Sequence, residues 1–150
     1  MKSLLPALAA SLFSCCSWAA LGGAPANLGA HAGPERSSTA STGITTYTVL
    51  QKQLDSGTTV HEFVDASGTV FAVSWSGPFL PDLKEILGDH FDAMLAQAAK
   101  GQRGQRSQLT LRRSDVVIVT AGHMGALQGR AWLPAKLPAG FDPNNAKWPQ

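Results

Sequence analysis

The chain has 150 residues, of which 44% are hydrophobic and 15% are charged, and its formal net charge is +2. The length fits one ordinary domain, and the hydrophobic fraction is typical of a globular protein. A charge so close to neutral gives no general attraction to nucleic acid or to an anionic membrane surface, so neither is an expected partner.

The first segment, residues 1–19, has the three parts of a cleavable signal peptide. Lys2 makes a basic start, an apolar run follows, and small residues end the segment. The run is too short to cross a bilayer, so no transmembrane segment is expected after leader cleavage. Cleavage after Ala19 places Ser17 and Ala19 where the peptidase requires small side chains. We therefore expect a periplasmic or secreted protein.

Both cysteines, Cys15 and Cys16, lie in this leader. The mature chain is then free of cysteine and cannot form disulfides, thiolate nucleophiles or cysteine-based metal sites. The residues leading to Cys15 also loosely resemble a lipoprotein box. An alternative is therefore a lipoprotein that is anchored through Cys15.

The next segment, residues 20–44, is rich in Ala, Gly, Ser and Thr and shows neither a strand nor a helix period. Such a composition buries too little apolar surface to offset the entropy of ordering. We interpret it as a flexible linker, which places the single folded domain at residues 45–150.

Strand-like composition begins at Thr45, and a β-hairpin is predicted over residues 58–75. Its turn ends in Gly68, which is typical of a three-residue hairpin loop. This turn predicts two cross-strand pairs: Phe63 with Phe71, and His61 with Val73. One face of the hairpin would then carry His61, Phe63, Phe71, Val73 and Trp75. Because both faces are rather apolar, we expect the hairpin to be covered on both sides.

The main helix is predicted over residues 82–99. Asp82 is a good N-cap and Glu85 stands three residues later, as in a capping box. Apolar residues follow at helical spacing. The predicted docking face consists of Leu83, Leu87, Phe91 and Leu95.

Two or three further strands are predicted after a basic stretch, residues 100–113. Leu109 and Leu111 open the first, residues 115–121 form the second, and residues 127–133 pair back. A proline-rich tail follows, which we expect to pack over the surface. This order predicts an α+β fold, an antiparallel sheet of about five or six strands with one main helix packed on one face.

A resemblance to a known family rests on the run from Val70 to Pro78, on residues 81–83, and on residues 87–88. Glu62-Phe63-Val64 and the stretch from Gly129 to Pro134 also match its pattern. The sequence thereby resembles the bacterial domain of unknown function family 2844 over nearly the whole mature chain. The resemblance implies an exported bacterial protein but brings no activity, ligand or catalytic residue.

Familiar catalytic and metal-binding patterns are not assembled in the sequence. His61 and Glu62 stand side by side, but on a strand they point to opposite faces and cannot share a metal. The four histidines are scattered, and no serine sits in a nucleophile elbow. We therefore predict no catalytic, metal or cofactor-binding set. The surface candidates for function are Trp75, Asp82, His90 and Arg130.

Each candidate also has a structural interpretation. His90 lies on the apolar stripe of the helix, where a histidine is more often a core residue, and Asp82 serves as the helix cap. Tryptophans in so small a domain are usually core, although a stacking platform for sugars is an alternative. That platform would consist of Trp75, Trp132 and Trp148.

The leading functional expectation is a non-catalytic binding, accessory or structural module of the cell envelope. Its partner would be another envelope protein, a glycan or a lipid. The alternatives are an enzyme of unrecognised type, with Glu62, Asp82, His90 and Arg130 as its polar candidates, and a small lipid- or glycan-binding module. An apolar cavity between helix and sheet would favour the last, whereas a filled core would favour the accessory role.

Overall fold

The computed structural model of this chain describes residues 21–28, 33–43, 45–100, 108–144, 146 and 148. The predicted signal peptide, both cysteines, His31 and the central part of the basic stretch lie outside these residues. The described strands are β1 (Arg36–Thr42), β2 (Thr45–Gln53), β3 (Thr59–Val64), β4 (Val70–Gly77), β5 (Leu109–Arg112), β6 (Val117–His123) and β7 (Ala126–Trp132). The helices are α1 (Leu83–Leu87) and α2 (Phe91–Lys100), joined by a 3-10 turn over Gly88–His90, and a second 3-10 turn spans Pro134–Lys136.

All seven strands form one antiparallel sheet in the order β1-β2-β3-β4-β7-β6-β5. Two meanders therefore meet where β4 pairs with β7. The sheet is larger than the predicted five or six strands, because β1 lies in the segment that we interpreted as a linker. Its Ser- and Thr-rich sequence needs no apolar face, since an edge strand is held by the backbone ladder to β2. The protein is mostly β, with one interrupted helical segment.

The linker interpretation also differs from the structure before β1. Leu21, Ala26 and Leu28 are buried, and they belong to the core beneath the helices. The Leu21 N–H donates to the carbonyl of Ile86, and the Gly22 N–H donates to that of Val70. Long-range contacts therefore order a segment whose own sequence has no period.

The hairpin turn is confirmed, but the predicted register is wrong by one residue. Asp65 N–H donates to the Thr69 carbonyl, and Gly68 takes a positive φ of 83°. A bulge at Phe63/Val64 then shifts the ladder, so the pairs are Phe63 with Ala72 and His61 with Ser74. Phe63 and Phe71 still share a face, with ring centroids 6.2 Å apart. Val73 and Trp75, by contrast, belong to the opposite face.

The helical segment begins as predicted and then departs from the predicted docking face. Asp82 caps α1 by accepting hydrogen bonds from the N–H groups of Lys84 and Glu85, at 3.0 and 3.1 Å. Gly88 has a φ of 54°, which interrupts the helix and changes its direction. As a result, Leu95 is 48% exposed, whereas Ile86 is fully buried.

Each face of the sheet has its own cover, as expected for a hairpin buried on both sides. We call the side beneath α1 and α2 the helix face and the opposite side the tail face. The helix face includes Val60, Val73, Trp75, Ile86, Leu87 and Ile118. The tail face includes Phe63, Phe71, Val117, Trp132 and Phe141, with Trp148 packed against them. Among the described residues, no helix is long and apolar enough to span a membrane.

Candidate functional site

A row of polar side chains crosses the tail face of the sheet. His61 on β3 is directly opposite Ser74 on β4, and Ser74 is opposite Arg130 on β7. Directly paired residues point to the same side of a sheet, so the three side chains lie on one face. The bulge in β3 and β4 produces this row, because the predicted register would have paired His61 with Val73.

Arg130 has its guanidinium close to two neighbouring indole rings. Its guanidinium carbon lies 5.9 Å from the ring centroid of Trp132 and 5.7 Å from that of Trp148. These cation–π contacts stabilise the position of the charged group, and no described residue accepts a hydrogen bond from its N–H donors. Among the described residues, no carboxylate forms an ion pair with Arg130. The result is a positioned cation whose planar set of N–H donors has no partner among the described residues.

A pocket of about 330 Å³ opens beside this guanidinium. Polar groups on its wall come from Ser74, Ser76, Gln128 and Arg130, and the strand residues Val119 and Ala121 add apolar surface. The tail contributes Ala146 and Trp148. Apolar walls with a few convergent polar groups are the usual composition of a small-molecule site.

Ser74 is the buried polar group that marks this pocket. Its side chain is 4% exposed, and its Oγ has no hydrogen-bond partner among the described protein atoms. Buried polar groups in proteins are nearly always hydrogen-bonded, so an exception requires an explanation. Ser74 also lines the pocket, so the unpartnered hydroxyl belongs to a residue of the pocket wall.

His61 and Ser74 have the residue types of a catalytic pair but not its geometry. A serine nucleophile needs a hydrogen bond to its general base. Neither Ser74 Oγ nor His61 Nδ1 has a hydrogen-bond partner among the described residues. Burial lowers the pKa of His61, which favours a neutral ring in the folded protein. In this structure the pair therefore lacks the hydrogen bond that activates a serine nucleophile.

The helix face contains a second buried polar cluster, which is fully used by the fold. Glu62 Oε1 accepts a hydrogen bond from the Ala26 N–H at 2.7 Å, and its Oε2 lies 3.3 Å from Lys52 Nζ. Lys52 also donates to the Ala26 carbonyl and pairs with Glu35 at 3.1 Å. Burial raises the pKa of Glu62, although the Ala26 N–H and Lys52 favour its charged form. This cluster fastens the N-terminal segment to the sheet.

The four predicted site residues do not come together. Trp75 is 1% exposed and packs on the helix face, opposite the side of the sheet that Arg130 occupies. Asp82 caps α1, which gives it a structural role. His90 Nδ1 lies 3.9 Å from Asp115 Oδ2 at the far end of the helix face. Of the four, Arg130 and Trp75 are among the residues that line the pocket, although the Trp75 side chain belongs to the core of the helix face.

A larger depression, of about 440 Å³, lies around His90 and Asp115. Two of its polar groups already have close partners, since Lys136 donates to the Gly22 carbonyl at 3.1 Å and Asp115 accepts from Arg113 at 3.0 Å. In the described part of the chain, no group of three or more His, Cys, Asp or Glu side chains is suited to hold a metal. The Arg130 pocket is therefore the better candidate site.

Sequence reasoning missed Ser76, Gln128 and the pairing of Ser74 with Arg130. The sequence feature that could have indicated them is the placing of Ser74 and Ser76 at alternate positions of an otherwise apolar strand. Such alternation indicates that one face of a buried strand is polar. Of the three rings of the suggested tryptophan platform, Trp132 and Trp148 lie together with ring centroids 6.2 Å apart, whereas Trp75 packs on the opposite face.

Comparison with known proteins confirms the family resemblance found in the sequence. Residues 17–146 match the family described as Protein of unknown function (DUF2844). No curated protein and no solved structure matches the chain.

Proposed function

The chain belongs to the DUF2844 family, and from this premise we propose that it is an exported, non-catalytic binding module of the bacterial envelope, with the Arg130 pocket as its ligand site. The observation that carries the proposal is the combination of a positioned guanidinium with a buried hydroxyl that has no partner among the described residues. Leaving such groups unsatisfied weakens the fold, so their presence in a lined pocket favours a ligand.

Export is supported by the tripartite leader pattern at residues 1–19. The chain packs into the domain from Leu21 onward, close after the predicted cleavage site. A mature protein that starts at Ala20 would therefore keep the whole ordered segment. The test is intact mass of the protein recovered from the envelope of its host. A mass that includes Met1 contradicts export, and a lipid adduct on Cys15 supports the lipoprotein alternative.

A non-catalytic role is supported by the lack of contact between Ser74 and a base. The alternative of an apolar ligand between helix and sheet is not favoured, because Trp75, Ile86 and Leu87 are all buried and fill that layer. The tail-face pocket instead offers mixed polar and apolar walls. These features favour a small, polar ligand.

The binding proposal is tested with a pocket-filling variant. Ser76→Phe places a ring in the pocket, and Ser37→Phe on the exposed strand β1 is the matched control. Thermal unfolding is measured with a panel of neutral, anionic and cationic polar compounds. We expect at least one compound to stabilise the wild type and Ser37→Phe but not Ser76→Phe, since ligand binding raises stability by mass action. A panel without effect, or with equal effects on both variants, contradicts the proposal.

A further inference from the structure

The charge inside the pocket restricts the class of ligand. Among the described residues that line it, Arg130 is the single charged side chain, and no Asp or Glu contributes to the wall. A singly charged anion is balanced by one guanidinium, whereas a doubly charged phosphate would remain half neutralised. A ligand with an ammonium group would find no carboxylate partner there. The electrostatics therefore favour a monoanion that has no positive group.

The geometry of the cation favours a carboxylate as that anion. A guanidinium presents parallel N–H donors that match the two oxygens of a carboxylate. The rings of Trp132 and Trp148 lie close to the guanidinium, and no described residue forms a hydrogen bond or ion pair with its N–H donors, so these donors are available to a carboxylate. Ser74, directly opposite Arg130 in the ladder, adds a hydroxyl that has no protein partner.

The other residues of the pocket wall indicate which groups the ligand carries besides its carboxylate. Ser76 and Gln128 form the next cross-strand pair and supply a hydroxyl and an amide, groups that hydrogen-bond to alcohols. Trp148 and Val119 provide apolar surface on the other side. A volume of about 330 Å³ is at the small end of ligand pockets, which range over roughly 300–1,000 Å³. These properties fit one compact ring that carries hydroxyl groups.

Taking the proposed binding function as the starting point, we infer that the ligand is an acidic monosaccharide of the hexuronate type. Its carboxylate pairs with the Arg130 guanidinium and accepts from the Ser74 hydroxyl. Its ring hydroxyls bond to Ser76 and Gln128, and its carbon face packs on Trp148. Both the carboxylate and the sugar ring are needed, because each engages a different part of the wall.

The test is calorimetric titration of the mature protein with D-glucuronate, D-galacturonate, D-glucose, acetate and inorganic phosphate. We expect at least one uronate to bind about tenfold or more tightly than glucose, acetate or phosphate, as expected for a charge-assisted contact. Arg130→Gln should remove the preference for uronate over glucose, and Arg130→Lys should reduce it, since lysine keeps the charge without the fork. Arg112→Gln, an exposed charge change on β5, is the control and should leave the preference intact.

Several outcomes contradict the uronate inference but leave the proposed binding function unaffected. They are glucose binding as tightly as both uronates, phosphate binding more tightly than either, or a preference that survives Arg130→Gln. If neither uronate binds while another compound passes the Ser76→Phe test, the ligand class is wrong and the pocket is still the site. If no compound passes that test, both proposals fail. Circular dichroism establishes that each variant is folded, and Gln128→Ala provides a second pocket variant that keeps Arg130.

Discussion

On the helix face, Glu62, Lys52 and the backbone of Ala26 satisfy one another. On the tail face, Ser74 and His61 retain buried polar atoms that have no partner among the described residues, and outside the Glu62 cluster the Trp75 Nε1 on the helix face has none either. Both clusters lie on the same hairpin, so the difference does not come from the local backbone. Its source is what covers each face, since the N-terminal segment brings peptide groups to Glu62 whereas the tail brings aromatic rings. A satisfied cluster holds a fold together, whereas an unsatisfied one is available for recognition.

The largest expected effect comes from breaking the satisfied cluster. Glu62→Leu leaves the Lys52 ammonium without its buried partner and the Ala26 N–H without an acceptor. We expect the free energy of unfolding, measured in urea, to fall by about 3–5 kcal/mol. Glu35→Gln removes the more exposed partner of the same lysine and should cost less than about 1 kcal/mol. Equal effects of the two changes would contradict a structural role for Glu62.

The next largest effect is expected where a buried tryptophan packs closely on a glycine of the neighbouring strand. Trp75 lies over Gly129, and a methyl group added at Gly129 would overlap the indole ring. Gly129→Ala should therefore cost about 1–3 kcal/mol in urea unfolding, because the core cannot yield without moving a fully buried tryptophan. Gln128→Ala, at the exposed neighbouring position, is the control and should change stability little. A neutral Gly129→Ala variant would show that the ring has room to move.

A smaller effect is expected at the helix cap above the helix face. Asp82→Ala removes the acceptor for the N–H groups of Lys84 and Glu85, and should cost about 0.5–2 kcal/mol. Asp82→Ser can still cap and should be nearly silent in thermal unfolding. If Asp82→Ser keeps stability but loses uronate binding, the corner before α1 belongs to the functional surface.

The buried His61 on the tail face should make the stability of the protein depend on pH. Burial lowers the pKa of His61 below its ordinary value of 6.5. A depressed pKa stabilises the fold above the unfolded-state value, and this contribution is lost as pH falls through the folded-state pKa. Protonation would in addition place a second positive charge in the row that contains Arg130. We therefore expect wild-type stability to fall more steeply than that of His61→Gln between pH 7.5 and about 5. Parallel urea-unfolding profiles would contradict this.

The smallest expected effect on stability is that of removing the unpartnered hydroxyl. Ser74→Ala should stay within about 0.5 kcal/mol of the wild type, because no protein hydrogen bond is lost. Thr58→Val is the matched change, since the Thr58 Oγ1 is also buried but donates to the Phe79 carbonyl at 2.6 Å. We expect that variant to lose about 1–3 kcal/mol. A large loss in Ser74→Ala would mean that the tail face uses this hydroxyl for its own fold.

Local chemistry in the sequence predicted much of the fold. The turn at Gly68, the cap at Asp82, strands β3 to β7 and the packing of the tail all follow from nearby residues or from short periods. The family membership likewise follows from sequence motifs. Arg130 was named among the polar candidates, but its place beside Ser74 was not predicted.

The rest depended on contacts between residues far apart in the chain. The order of the 21–28 segment and of β1 comes from partners in β2, β3 and the helices, which no local period reveals. The bulge at Phe63/Val64 depends on the competition between two packed faces, and it alone brings His61 opposite Ser74. The pairing of β4 with β7 then brings Arg130 beside Ser74 across more than fifty residues of sequence. The sequence by itself determined the elements, their caps and the available side chains, because these follow from short-range sterics and hydrogen bonding. Only the tertiary structure decided which polar groups have partners and which face a pocket, because that depends on the cover that distant segments place over each side of the sheet.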